Sequence, residues 1–505
     1  MPATALTYPK RRRRKTLAGV KASVKPWLDP SCNFWYDPTD LSTMTLWPVH
    51  AFGNSDKSYI STPATPDLDA TTELTIEMWV NLKTLTSDRA FASKSIYASD
   101  VCGWGIGGGG NTNEFNTVQF WCRGEGGAFV ARSTAIYNLG VGEQLSHFVI
   151  TFNAGTVKIW RNGVAETLSG AGTVPTKIGA NLTALQIGNW SVYAGTSNFG
   201  CGVFRYWTRD IGDTLAATLH NSGTPILHNQ LTDSLRGNRL VCSIDGDSKT
   251  CKATGRVFTD TLAVDAEKVC TQCRDKSRNG RHLSAPFGRG YWLSTINSKN
   301  ALRGYLQQSM LVSTANAVNS PTGSIFSVEQ VDTFAGAENF FLCSEDDDGN
   351  STLKYGMTGW EARTTIDGKS PAVAADGNYA FLRVRNASSP NGNVRVGDGA
   401  AYVGGGVYLI NWNGTGSGGA ASYTYYGNGV NYSLSINSIA QNAWLDQLGV
   451  TDALYVGGAL GGVAIGGGSW YAGRRGIVAG FNLAMSSEMR PFIQKLIADS
   501  YEISV

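Results

Sequence analysis

The chain has 505 residues, a length that suits two or three domains. Apolar residues make up 42% and charged residues 16%, with 61 Gly and 14 Trp, which excludes a disordered or helical chain and favours Gly- and aromatic-rich β-structure. The net charge is +3, but residues 1–25 carry eight basic groups and no acid, so removing those eight leaves −5 for the remainder.

Residues 1–30 read as a basic, flexible arm. Its unbroken run Lys10, Arg11, Arg12, Arg13, Arg14, Lys15 repels itself and does not fold alone. Three readings stay open for it: phosphate contacts to nucleic acid, docking on an acidic partner within an assembly, and a solvated terminus. Nothing aromatic interleaves the arginines, so nucleic-acid contact is expected to be insensitive to base sequence. The arm has no apolar stretch of the kind a secretory signal carries, so synthesis in a cytoplasm is the expectation. No run of about 18 apolar residues occurs, so no transmembrane segment is expected.

Residues 31–50 contain Trp35-Tyr-Asp-Pro-Thr-Asp-Leu-Ser-Thr43 and read as an edge strand or docking segment. Residues 51–223 hold short β-rich runs closed by turn residues. They are Leu74-Thr-Ile-Glu-Met-Trp-Val80, His147-Phe-Val-Ile-Thr-Phe152, Val157-Lys-Ile-Trp-Arg-Asn-Gly163, Leu185-Gln-Ile-Gly-Asn189 and Gly202-Val-Phe-Arg-Tyr-Trp-Thr-Arg209. Residues 224–290 read as a polar, Cys-containing connector. Residues 291–505 replay the first order in weaker form, through Ser324-Ile-Phe-Ser-Val-Glu329, Val407-Tyr-Leu-Ile-Asn-Trp-Asn-Gly414, Tyr425-Tyr-Gly-Asn-Gly429, Leu454-Tyr-Val-Gly-Gly458 and Gly476-Ile-Val-Ala-Gly-Phe-Asn-Leu483. Two copies of one β-domain are expected. Residues 488–501 carry Phe492, Ile493, Leu496, Ile497 and Tyr501 at helical spacing, with Pro491 in the first turn, and predict a short helix packed on its own domain.

Nine cysteines without a secretory signal argue against a full disulfide framework. Cys242, Cys251, Cys270 and Cys273 cluster in the connector. Their Cys-x2-Cys half suits a tetrahedral zinc ion, while the eight-residue gap of the other half is looser than common zinc ribbons. A structural zinc knuckle, one or two disulfides, and free buried thiols all fit this spacing.

The strand phrases ending at Trp79, at Ile159 to Gly163, at Leu185 to Gly188 and at Gly202 to Arg209 resemble the concanavalin A-like, laminin-G-like jelly-roll superfamily. The resemblance covers about residues 46–225 well and 240–505 moderately, and it implies an all-β chain of two β-sandwich jelly rolls in tandem. Trp35–Thr43 and Asp275-Lys-Ser-Arg-Asn-Gly-Arg-His282 resemble openings of lectin-like jelly-roll proteins of bacteriophage structural-gene clusters. Those two phrases usually lie close together, yet here more than 200 residues separate them. Either the first roll is inserted into the second, or each roll carries its own opening, with Ser243-Ile-Asp-Gly-Asp247 as the other version.

Jelly-roll glycosidases of this superfamily carry paired carboxylates on one strand, and no such phrase is found here, so no enzymatic activity is expected. Glu77 and His147 read as strand and core residues. Lectin-like rolls bind glycans through aromatic rings and hydroxyl-bonding polar groups. Trp470, Tyr471, Trp104 and Trp190 are the leading candidates, with Trp121, Tyr193, Trp412, Tyr425 and Tyr426 behind them. Calcium, where the family binds it, would sit at acidic loops, here Glu345 to Asp348 or Asp245 and Asp247. The resemblance implies a virion component, made in the host cytoplasm and released with the particle. Its expected partners are other virion proteins, a cell-surface glycan, nucleic acid through the arm and further copies of itself. A coat protein whose arm binds packaged genome, and a cellular lectin-like module or glycosidase, stand as alternatives.

Overall fold

Period-two alternation builds the first roll. In the strand Glu73–Leu82, Leu74, Ile76, Met78 and Val80 all enter one apolar core. This strand lies between Leu145–Asn153 and Phe199–Trp207, antiparallel to both. A second sheet runs in the lateral order 168–172, 127–133, 118–125, 103–108, 89–94, 185–187, 60–62, 259–260. Phe91, Trp104, Ile106, Phe120, Leu185 and Ile187 from that sheet complete the core. The computed structural model describes residues 25–52, 58–69, 72–82, 89–94, 103–108, 118–125, 127–133, 145–180, 183–188, 199–237, 239–260, 265–284, 291–304, 311–313, 322–331, 338–345, 355–362, 378–386, 389–396, 406–414, 423–432, 434–437, 453–456 and 473–505.

The second roll repeats this scheme strand for strand. Gly323–Val331 lies between Val407–Gly414 and Gly473–Phe481. Its second sheet runs 434–437, 389–396, 378–386, 355–362, 338–345, 453–456, 311–313, 283–284, the same lateral order as in the first roll. The fold is all-β, with two sandwich-like jelly rolls and a short C-terminal helix.

The openings of the two rolls are exchanged along the chain. The strand Cys32–Tyr36 pairs with Gly473–Phe481, the last strand of the second roll. Gly480 lies so close that a Cβ there would overlap the Phe34 ring. The strand Leu240–Asp245 pairs in the matching way with Phe199–Trp207, the last strand of the first roll. Each opening then meets a lysine-bearing turn. Lys276 N–H donates to Trp35 O (2.9 Å) and Lys252 N–H donates to Ser243 O (2.7 Å). Lys276 Nζ reaches Asp37 at 2.9 Å and Asp40 at 3.1 Å, and Lys252 Nζ reaches Asp245 at 3.1 Å and Asp247 at 3.0 Å. Each roll has its own opening, and the first roll departs from the second between Asp37 and Asp275.

The departure is a two-stranded stalk. Met44–Phe52 leads out and Asp265–Cys273 returns, paired from Ala51↔Asp265 to Met44↔Cys273. Phe52, Ala51 and His50 also pair with the first roll's last strand, at Phe199, Gly200 and Cys201. The returning strand pairs with Tyr291–Ile296, which leads through Lys299–Gly304 to the last strand of the second roll. Val49, Trp79, Val203, Val269 and Trp292 pack together at this junction. Gly200 is required there, because a Cβ would meet the Trp292 ring.

Residues 240–260, expected within a connector, are therefore part of the first roll: Cys242, Ile244, Cys251 and Phe258 lie in its core. Residues 265–284 form the stalk and the second roll's clasp. After each last strand a helix covers the sheet. In the first roll it is Asp213–Thr218, placing Ala216 against Trp207 and Leu219. In the second it is Met489–Tyr501, which buries Ile493, Ile497, Ala498 and Tyr501. Phe492, expected on the buried face, is 38% exposed. Among the described residues no helix is long and apolar enough to cross a membrane.

Candidate functional site

Glu77 and Trp79 occupy the face of Glu73–Leu82 opposite the core. The chain from Trp207 to Arg236 folds over part of this face, and the stalk covers the rest, so a row of polar groups is sealed inside. Arg205, directly across from Glu77, donates from Nη1 to Glu77 Oε2 at 2.7 Å. His147 Nε2 lies 3.2 Å from Glu77 Oε1. Arg205 Nη2 is 3.6 Å from Asp245, and its Nε donates to Ser243 Oγ at 3.3 Å. His228 continues the chain outward, with Nδ1 3.0 Å from Ser243 Oγ and its N–H on Asp245 Oδ2. Lys252 closes it at the surface.

The electrostatics commit these groups to one another. Burial acts to raise the Glu77 carboxyl, but the Arg205 guanidinium and His147 outweigh it and hold it below the ordinary range. Burial lowers His220 and His228 and keeps both neutral at physiological pH. The Trp79, His147 and His220 rings stack at 4.7 to 5.8 Å. A carboxylate held charged under a guanidinium is neither the protonated acid nor the free base that glycosidic cleavage uses. This network is a structural clamp.

The candidates drawn from the sequence separate sharply. Trp104 is 2% exposed and packs tilted against Tyr206 inside the first roll's core, so its ring has no face for a sugar. Trp412 and Tyr425 pack on each other in the second roll at 4.6 Å. Tyr426 is part-buried beneath Arg490, whose guanidinium stacks 3.8 Å from the ring centroid. Trp190, Tyr193, Trp470 and Tyr471, the basic run Lys10 to Lys15, and the acidic loop from Asp346 to Asp348 lie outside the described residues.

The four clustered cysteines are not brought together. Cys242 and Cys251 lie in the first roll's core. Cys270 and Cys273 lie on the returning stalk strand, where Cys270 Sγ donates to Gln272 O at 3.2 Å. Two of the four belong to the roll and two to the stalk, which is why proximity in sequence did not become a tetrahedral site. Cys32, Cys122, Cys201, Cys242, Cys251, Cys270 and Cys273 are all buried free thiols. Asp245 and Asp247 share the Lys252 ammonium, which already supplies the positive charge there. Among the described residues no three His, Cys, Asp or Glu side chains gather as metal ligands.

One secondary sequence candidate is placed differently. In Val118–Glu125, Val118, Phe120 and Cys122 enter the core. Alternation puts Gln119, Trp121 and Arg123 on the outer face of the second sheet. Trp121 is part-exposed and lies opposite Gly105 on one side and Val130 on the other. The next strand, Gly103–Gly108, sends Trp104 and Ile106 inward, so glycines 103, 105 and 107 line the outer face beside the indole. Across that strand, Ser93 lies opposite Gly105 and Gln186 opposite Ser93. The result is an indole flanked by a side-chain-free row, with Arg123 exposed on its own strand while Gln119 and Ser93 are buried. A Gly-x-Gly-x-Gly strand beside an aromatic strand was the available sequence signal for it.

Residues 53–202 match a laminin-G-type family model described as the concanavalin A-like lectin/glucanases superfamily. No curated protein matches the chain. Among solved structures, one similar protein is a putative carbohydrate binding protein from Bacteroides ovatus, at 14% identity and TM-score 0.33, covering 44% of this chain and 60% of that one. Domains LG4-5 of the mouse laminin alpha1 chain are similar at 12% identity and TM-score 0.29, covering 87% and 91%. The binding domain of Paraclostridial Mosquitocidal Protein 1 is similar at 11% identity and TM-score 0.30, covering 85% and 98%.

Proposed function

We propose, on the premise that residues 53–202 form a concanavalin A-like, laminin-G-like jelly roll, that this protein is a non-enzymatic glycan-binding component of a virus particle. The observation that carries glycan binding is Trp121. Its part-exposed indole stands beside the glycine row at Gly105, with the exposed Arg123 on the same strand face. A pyranose laid on such a ring buries its apolar face, and a guanidinium group at the margin bonds its hydroxyls. The commitment of Glu77 and Asp245 to Arg205 supports the non-enzymatic part.

The particle assignment rests on the resemblance of Trp35–Thr43 and Asp275–His282 to phage jelly-roll openings. The run Lys10 to Lys15 supports attachment of the body to a polyanionic or acidic surface within such a particle. The same run favours a second reading, a coat protein whose arm neutralises packaged nucleic acid.

A glycan array probed with the full chain and with Trp121→Ala tests the binding site. The expected result is a defined set of bound glycans that Trp121→Ala loses by tenfold or more, about 1.4 kcal/mol. Unchanged binding in the variant overturns the assignment of this face. Purifying the full chain and a chain lacking residues 1–25 separates the two particle readings. Nucleic acid that co-purifies only with the full chain selects the coat protein, and nucleic-acid-free protein in both selects the attachment component.

A further inference from the structure

The clasps of the two rolls differ at one informative position. In the second roll Asp275 Oδ1 accepts the Trp35 N–H at 2.9 Å, and Oδ2 accepts the Ser277 hydroxyl at 2.6 Å. In the first roll the residue before the clasp lysine is Cys251. Its sulfur accepts the equivalent N–H, that of Ser243, at 3.3 Å, and the Thr254 hydroxyl at 3.1 Å. A socket of donors that holds a carboxylate in one roll holds a sulfur in the other, and such a socket stabilises an anion. Cys242, on the opening strand, lies beside that sulfur in the same core: the Cys251 sulfur sits 3.3 Å from Ser243 N and 3.9 Å from Val241 O, the backbone groups on either side of Cys242. The Cys251 thiol is lowered to about 5, first by Cys242 and then by Thr254 and Ser243, against the opposing effect of burial. Burial, with Cys251 beside it, raises the Cys242 thiol well above its ordinary value. Both sulfurs are buried, but Cys251 lies directly under a turn whose residues Lys252, Thr254, Gly255 and Val257 are exposed.

We propose that Cys251 and Cys242 form an oxidative modification site, with Cys251 as the attacking thiolate and Cys242 as the resolving thiol, which closes to a disulfide on meeting a peroxide. The Cys251 sulfur attacks one peroxide oxygen and breaks the O–O bond, giving a sulfenic acid and, after proton uptake, water. Cys242 then attacks the sulfenic sulfur. The S–O bond breaks, the S–S bond forms, and the thiol proton leaves with the hydroxyl as a second water. Two thiols are oxidised and one peroxide is reduced. The bond ties the opening strand to its clasp covalently, where the second roll relies on Asp275. The site is independent of the glycan reading and needs only exposure to an oxidising medium.

The test is peroxide titration of the reduced full chain, followed by alkylation and non-reducing peptide mapping. The expected product is one disulfide linking the Cys242 and Cys251 peptides, with two thiols lost per chain. Cys122, Cys201 and Cys270, whose thiols burial pushes up to about 12, stay reduced. At neutral pH Cys251 holds roughly thirtyfold more thiolate than an ordinary thiol, so it oxidises first by at least tenfold. Cys242→Ala is expected to stop at a sulfenic acid that a dimedone-type probe labels at Cys251. Cys251→Asp is expected to fold, since the socket suits a carboxylate, and to leave Cys242 reduced. A map without the 242–251 link, or with the other thiols oxidising as fast, overturns the proposal on the native chain alone, whatever the variants do.

Discussion

Arg205 shows how much one side chain organises. It is fully buried and touches Glu77 on one neighbouring strand and Ser243 and Asp245 on the other, so two elements of the first roll converge on it. Arg205→Met removes the guanidinium opposite two buried carboxylates, and chemical denaturation is expected to show a loss of about 3–5 kcal/mol. The double variant Arg205→Met, Glu77→Gln is expected to recover part of that loss. The pH dependence follows from the same groups. His50, His220 and His228 are held below their ordinary value in the fold, chiefly by burial, so each favours folding only while neutral. Their contribution is lost as pH falls below about 6.5. Glu77 is held below its ordinary value, so its contribution persists at neutral pH and is lost as pH falls below about 4.3. Cys251, lowered to about 5 in the fold, adds a contribution that declines as pH falls below about 8.5, so thermal melts are expected to decline on acidification from there, with further losses below about 6.5 and about 4.3. Rising stability on acidification contradicts this account.

At the scale of elements, the duplication is visible in a hydroxyl that fastens each exit from a last strand. Thr75 donates to Arg209 O at 2.8 Å and accepts the Ile211 N–H at 3.2 Å. Ser324 lies 3.0 Å from Leu483 O and accepts the Met485 N–H at 2.8 Å. Thr75 faces Trp207 and Ser324 faces Phe481, so the two hydroxyls hold the same place in the two rolls. Ser324→Ala leaves a buried backbone N–H without its acceptor, and urea denaturation is expected to show a loss of about 1–3 kcal/mol. The strands themselves were legible, because alternation from Leu74 to Val80 and the turn at Asn162-Gly163 are local signals. The C-terminal helix was legible for the same reason. Phe492 was misjudged because spacing gives the stripe but not its width, and the sheet meets Ile493, Ile497 and Tyr501.

At the scale of the whole molecule, the first roll is an excursion from the second. Replacing residues 53–264 by a short turn joins Phe52 to Asp265, which the stalk already holds side by side through Ala51. The shortened chain is expected to stay soluble and to melt cooperatively, because the pairing of Cys32–Tyr36 with Gly473–Phe481 is retained. Deleting residues 26–43 instead is expected to render the second roll insoluble, since it strips the opening strand from its last strand. If the first chain aggregates and the second does not, the stalk has been misread.

Local chemistry determined much of this protein by itself. Composition excluded helical and disordered classes. The repeated strand phrases marked two β-rolls, and Trp35–Tyr36 and Asp275–Lys276 marked an opening, because these signals depend on neighbours in sequence. Tertiary structure decided the rest. It placed Cys32–Tyr36 on a strand more than 430 residues away, and it divided four neighbouring cysteines between a roll and a stalk. It buried Trp104 while leaving Trp121 part-exposed. Strand pairing and facing depend on which surfaces a distant segment covers, and no local pattern of side chains encodes that.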